Sequence, residues 1–134
     1  MAVRRHETRP IRSAEDVVAV RRAVREGSIA AGFSLVDQTK IVTAASELAR
    51  NALTYGGGGT LTLELLNDGA RRGLRLVFED QGPGIADVEL ALRDGFTTGG
   101  GLGLGLGGAR RLVNEFSIES APGKGTRVAV VRWK

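Results

Sequence analysis

The sequence contains no cysteine. That excludes a disulfide framework, a cysteine zinc site and thiol chemistry. It contains one histidine, His6, set among charges near the N-terminus, so no histidine-based triad or metal site can be built. Aromatic residues are scarce. Four Phe, one Tyr and one Trp form no stacking pattern for single-stranded nucleic acid. No apolar run reaches the about 18 residues of a membrane-spanning helix. The opening stretch MAVRRHETRP has no apolar core after its arginines, so no signal peptide is expected. The expected compartment is the cytoplasm, with neither a membrane nor a nucleic-acid partner.

With 134 residues the chain has room for one core and is expected to be one domain, 1–134. Its net charge of +4 suits an acidic partner, but the arginines are too scattered to mark a nucleic-acid surface.

What the chain has in excess is glycine, and in one place. Residues 95–108 read GFTTGGGLGLGLGG, with eight glycines in fourteen positions, against 20 in the whole chain. Glycine costs backbone entropy in any fixed structure. Such a cluster serves a segment that must move, or one whose backbone must be closely approached. The run ARRLVNEF follows and reads as a helix. A glycine-rich loop feeding a helix N-terminus is suited to bind an anion, so a phosphate-binding lid is the reading. A plain glycine linker is the alternative. Leu102, Leu104 and Leu106 alternate with the glycines and need somewhere to pack.

The rest of the chain falls into short elements. Residues 4–11 suit an edge strand, Pro10 being out of place in a central one. Ser13 caps a first helix, in which Val17, Val20, Ala23, Val24 and Ile29 recur at helical spacing until Gly32. Ser34 caps a second helix over 35–55, with Ile41, Ala44, Ala45, Leu48 and Ala52 as its apolar stripe. Strands follow at 60–67 and 73–80, joined by a hairpin loop. A short helix at 87–92, a helix at 109–116, and strands at 117–121 and 126–133 complete the chain. Helices and strands do not alternate strictly, which disfavours a doubly wound parallel sheet. The expected class is α+β: a two-layer sandwich with a mixed, mostly antiparallel sheet and helices on one face.

Four motifs carry chemistry. Glu47 and Asn51 lie one turn apart on the second helix. A carboxylate there can take a proton, and an amide oxygen is a hard donor suited to Mg2+. Alone, E-x-x-x-N is a very common pattern and reads first as a solvated helix face. Asp80 ends a strand and opens the run DQGPG. It can accept from the amine of a flat ring, with Gly82 and Gly84 leaving space for that ring. The same run also makes a plain turn. The third motif is the glycine lid. The fourth is GKGT at 123–126, a hairpin tip that puts the Thr126 hydroxyl just inside the last strand.

In this order the four motifs resemble the GHKL, or Bergerat-fold, ATP-binding domains, from Glu47 to Thr126. Helix two, SLVDQTKIVTAASELARNALTYGGGG, and the stretch from VFEDQGPG to ARRLVNEF look like the small anti-sigma-type serine/threonine kinases. Among these they look like the RsbT type, switch kinases of the bacterial stressosome. The resemblance implies a Bergerat fold, ATP and Mg2+. Glu47 would be the base that deprotonates a substrate hydroxyl, and Asn51 the Mg2+ ligand. Asp80 would bind adenine, with Gly82 and Gly84 shaping that pocket. Gly101, Leu102, Gly103, Leu104, Gly105 and Leu106 would form the lid on the phosphates, and Thr126 would lie on the adenine side. A phosphoacceptor-histidine helix, as histidine kinases use, is not seen.

One departure stands out. Several anti-sigma kinases carry a lid arginine that reaches the γ-phosphate, and residues 96–109 contain none. Mg2+, lid N–H groups, Arg50, Arg110 or Lys124 remain to meet that charge. The resemblance implies a protein serine/threonine kinase that phosphorylates STAS-domain scaffold proteins. Once released, it would bind and activate a PP2C-type phosphatase. The alternatives are an anti-sigma factor that sequesters a sigma factor directly, and a nucleotide sensor without catalysis.

Overall fold

Local side-chain chemistry sets where the two long helices begin. The chain runs β1 (Ala2–Ile11), α1 (Ala14–Ala30), α2 (Leu35–Thr54), β2 (Gly59–Asp68), β3 (Arg71–Asp80), α3 (Val88–Ala91), α4 (Gly105–Arg111), β4 (Glu115–Ser120) and β5 (Thr126–Trp133). This is a computed structural model, and it describes residues 2–93 and 105–134. At the start of α1 the Ser13 hydroxyl accepts from the Asp16 N–H at 3.2 Å. At α2 the Ser34 hydroxyl accepts from the Asp37 N–H at 3.2 Å. Each bond satisfies a donor that has no partner inside the helix. Gly32, at φ 83°, makes the turn between them, a conformation side-chain-bearing residues avoid.

The five strands form one sheet in the order β1-β2-β3-β5-β4. Every ladder is antiparallel, so of the expected mixed, mostly antiparallel sheet only the antiparallel part is present among the described residues. The reason is connectivity: β2–β3 and β4–β5 are consecutive pairs, α1 and α2 separate β1 from β2, and β5 returns between β3 and β4, which run in the same sense as each other. β1 is an edge strand, as Pro10 requires.

Residues opposite one another in an antiparallel ladder share a face. Leu61, Leu63 and Leu65 sit opposite Phe78, Leu76 and Leu74, and Val128 and Val130 continue the two rows on β5. All are buried in one core with Val17, Val20, Ala23 and Val24 of α1 and with Ile41, Ala44, Ala45 and Leu48 of α2. Gly27 lets α1 come close, since a Cβ there would stand 3.3 Å from Leu74. Ile29 is the exception to the α1 pattern: it is 57 % exposed, on the side of the last turn away from the buried Gly27, Ser28 and Ala31. The opposite face of the sheet carries Val77, Ala129 and Val131, buried outside that core, and a Glu64–Arg75 ion pair at 3.6 Å across β2 and β3.

Two boundaries differ from the sequence reading. α4 begins at Gly105, within the glycine run, and ends at Arg111; a helix over 109–116 was expected. β4 accordingly starts at Glu115, two residues early, and stops at Ser120. Packing overrides propensity at the first boundary. Gly107 and Gly108 are buried in the helix, and a Cβ on Gly107 would strike the carbonyl of Leu92. At the second, the sheet competes for the chain. The Asn114 N–H donates to Val131 O at 2.9 Å, and the Trp133 N–H donates to Asn114 Oδ1 at 2.7 Å.

Candidate functional site

Glu47 and Asn51 lie on the rim of α2, beside the buried stripe. The Glu47 side chain is only 12 % exposed. Its Oε1 is 3.3 Å from the guanidinium of Arg50, which also donates to Ser46 Oγ at 2.9 Å. Asn51 is half-buried, and its side-chain amide makes no hydrogen bond among the described residues. Its backbone carbonyl closes the helix, accepting from the Tyr55 and Gly56 N–H groups at 3.0 and 3.2 Å.

That closure carries the chain directly to Asp80. Gly56 packs on the Asp80 side chain so closely that any Cβ would collide with the carboxyl group. Gly82 in turn packs on Gly56, its missing Cβ 2.6 Å from the Gly56 Cα. Asp80 Oδ1 accepts from the Gly82 N–H at 2.9 Å. A carboxylate has lone pairs beyond that one bond, so an acceptor remains for an amine donor. The two glycines thus hold the Asp80 carboxylate in close packing and leave it an acceptor to spare.

Asp80 is also the last residue of the middle strand of the sheet. It lies opposite Gly59 on one side and Thr126 on the other. The Thr126 hydroxyl is 2.8 Å from the Ser120 hydroxyl. Ser120 also donates to Gly125 O at 2.9 Å and accepts from the Ile85 N–H at 2.8 Å. One serine thus ties the DQGPG turn to the GKGT hairpin. Gly84 and Gly125 have φ of 77° and 72° and nest against Ala121 and Asp80. Two open clefts, of about 300 and 390 Å³, meet at Glu79, Asp80 and Gln81. Neither is lined by Glu47 or Asn51.

The structure therefore brings together Asp80, Gly82, Gly84 and Thr126, and joins them to Asn51 through Gly56. Leu106 is buried in the core and anchors the start of α4, where Gly105 turns the chain at φ 68°. Gly101, Leu102, Gly103 and Leu104 lie outside the described residues. Lys124 lines the smaller cleft, and Arg110 is exposed on the last turn of α4. Two residues escaped the sequence reading. Gly56 follows directly on the second helix, where four consecutive glycines exceed what a helix end needs. Ser120 gave no signal, because the bond that gives it its role comes from Ile85, 35 residues away.

Residues 36–134 match the family of histidine kinase-, DNA gyrase B- and HSP90-like ATPases. The chain belongs to this family. The match begins in the first turn of α2 and contains all four motifs. The chain is 47 % identical over 118 residues to the serine/threonine-protein kinase RsbT of Bacillus subtilis, covering 88 % of this chain and 89 % of that one. It is 31 % identical over 99 residues to an anti-sigma F factor of Thermoanaerobacter, covering 69 % and 68 % of the two chains. Solved structures share the fold. The RsbU and RsbW domains of a Mycobacterium tuberculosis protein superpose with a TM-score of 0.66 at 23 % identity, over 97 % of this chain and 32 % of that one. A mycobacterial sensor histidine kinase, MprB, gives 0.57 at 20 % identity over 96 % and 97 %. The chain is an ATP-using serine/threonine kinase of the GHKL type.

Proposed function

We propose that this kinase phosphorylates a serine or threonine of a STAS-domain scaffold protein, in the manner of a stress-response partner switch. The observation that supports this most is the 47 % identity to RsbT along nearly all of both chains, with Glu47 and Asn51 both present on one helix rim. In this reading Glu47 takes the proton of the substrate hydroxyl as its oxygen attacks the γ-phosphorus. The bond to the leaving ADP breaks as the new P–O bond forms. Bound ATP supplies the phosphoryl group, and Mg2+ the countercharge to it. Among the described residues no cluster of three acidic or histidine side chains exists, so Asn51, waters and the phosphates themselves would hold that ion. Asp80 accepts from the adenine amine, Gly82 and Gly84 pack the turn that holds it against Gly56 and Ala121, and Thr126 lines the ring's side. Residues 101–106 wrap the phosphates.

The added phosphate places about two negative charges in the interface with the scaffold and weakens the complex. The freed kinase then binds and activates a PP2C-type phosphatase. The working compartment is the cytoplasm; no helix among the described residues is long and apolar enough to cross a membrane. The anti-sigma likeness at 31 % identity supports a second reading, in which the kinase sequesters a sigma factor and phosphorylates its antagonist. Binding assays separate the two. The switch reading expects capture of an unphosphorylated STAS-domain protein, loss of that complex after incubation with ATP and Mg2+, and then capture of the phosphatase. Stable capture of a sigma factor, with no phosphatase binding, would establish the second reading instead.

A further inference from the structure

Glu47 is mostly buried, yet among the described residues its one side-chain partner is Arg50. Arg50 is 53 % exposed, and an exposed ion pair of this kind contributes little to stability. Stability therefore does not explain the arrangement. Its geometry is more specific than that of an ordinary surface pair. One arm of the guanidinium is fixed to Ser46 Oγ at 2.9 Å, and Ser46 is itself only 6 % exposed. The other arm meets Glu47 Oε1 at 3.3 Å. A planar fork held at a buried hydroxyl sets the direction of the carboxylate it touches. Of the three cations that could serve the reaction, Lys124 stands at the GKGT tip beside Asp80 and Arg110 on α4. Arg50 alone touches Glu47.

We propose that Arg50 is a positioning residue for Glu47: it pins one carboxylate oxygen, with Ser46 as its anchor, and leaves the other aimed at the incoming hydroxyl. The inference rests on Glu47 being the base. A carboxylate free to rotate would spend less time within hydrogen-bond reach of that hydroxyl, and small misplacements of a catalytic group are costly.

The test measures transfer of labelled phosphate from ATP to the STAS-domain substrate, alongside binding of a fluorescent ATP analogue. Arg50→Met is expected to lower kcat by about 10- to 100-fold. The KM for ATP and the analogue affinity should stay within about twofold, because nucleotide is held elsewhere. Arg50→Lys should recover only part of the rate, since an ammonium cannot span both partners. Ser46→Ala should lower kcat in the same direction, and Ser46→Ala with Arg50→Met should be no worse than Arg50→Met alone. In a Glu47→Gln background Arg50→Met should cost nothing more. If Glu47→Gln is inactive and Arg50→Met transfers at the wild-type rate, the Arg50 role is wrong and the base assignment stands. A kcat loss matched by an equal loss of analogue binding also overturns it, as that is a general structural defect. If wild type transfers no label, or Glu47→Gln transfers normally, the reading of the site falls and takes the Arg50 role with it.

Discussion

Asp80 owes its surroundings to glycines. Gly56 and Gly82 pack where any side chain would collide, and the Gly82 N–H fixes one carboxylate oxygen. Two predictions belong at this scale. Asp80→Asn exchanges an acceptor for an amide whose nitrogen only donates. It should weaken ATP binding by about 10- to 100-fold, the worth of a hydrogen bond to a charged group. Calorimetry at fixed Mg2+ measures this, and unchanged affinity would contradict the adenine assignment. Gly56→Ala should weaken ATP binding at least as much while leaving Glu47 and Arg50 untouched, because its Cβ collides with the Asp80 carboxyl. Nucleotide affinity equal to wild type would show that this packing is not part of the site. Asp80 was legible in the sequence because D-x-G-x-G is a local pattern. Gly56 and Ser120 were not, because Gly56 packs on Asp80 and Gly82, and Ser120 bonds Ile85, all far along the chain from them.

At the scale of elements, the helix carrying the proposed base is braced at its far end. Asp37, in the first turn of α2, receives a hydrogen bond from Arg132 of β5 at 2.6 Å. Arg132 also donates to Leu112 O, just past α4, at 2.9 Å. The hydrogen bond from Arg132 holds the Asp37 carboxyl below its ordinary range. The charged form is thus the one the fold favours. Its contribution is complete above the unfolded value near pH 4 and is lost as the pH falls through the lower, folded value. Asp37→Asn should cost about 1–3 kcal/mol at pH 7, and the gap to wild type should narrow in acid below about pH 4. Denaturant melts at both pH values check this; a gap of constant size would contradict it. The caps at Ser13 and Ser34 made α1 and α2 readable to within a residue or so. The boundary of α4 was not readable, because glycine's low propensity hid a helix that close packing on Leu92 requires. Strand order was equally hidden. β5 lies between β3 and β4, a matter of long-range pairing that no local pattern encodes.

At the scale of the molecule, the proposed site draws on three separate elements. The end of β3 supplies Asp80, the β4–β5 hairpin supplies Thr126, and α2 supplies Glu47 and Asn51. The joining element is the 56–59 turn, which carries α2 into β2 and touches Asp80 on the way. Motif order was enough to recognise this family: Glu47 and Asn51 share one turn of α2, and the DQGPG and GKGT motifs sit where strands end and the chain must turn. Partner choice is a property of surfaces rather than junctions, and it left no comparable mark. The most direct measurement uses the purified chain, ATP labelled at the γ-phosphate, Mg2+ and a STAS-domain protein. Wild type should place label on a serine or threonine of that protein. Glu47→Gln should reduce the rate by about 10²- to 10⁴-fold, the usual worth of a general base, while binding nucleotide as before. Labelling by Glu47→Gln at the wild-type rate would contradict transfer through Glu47.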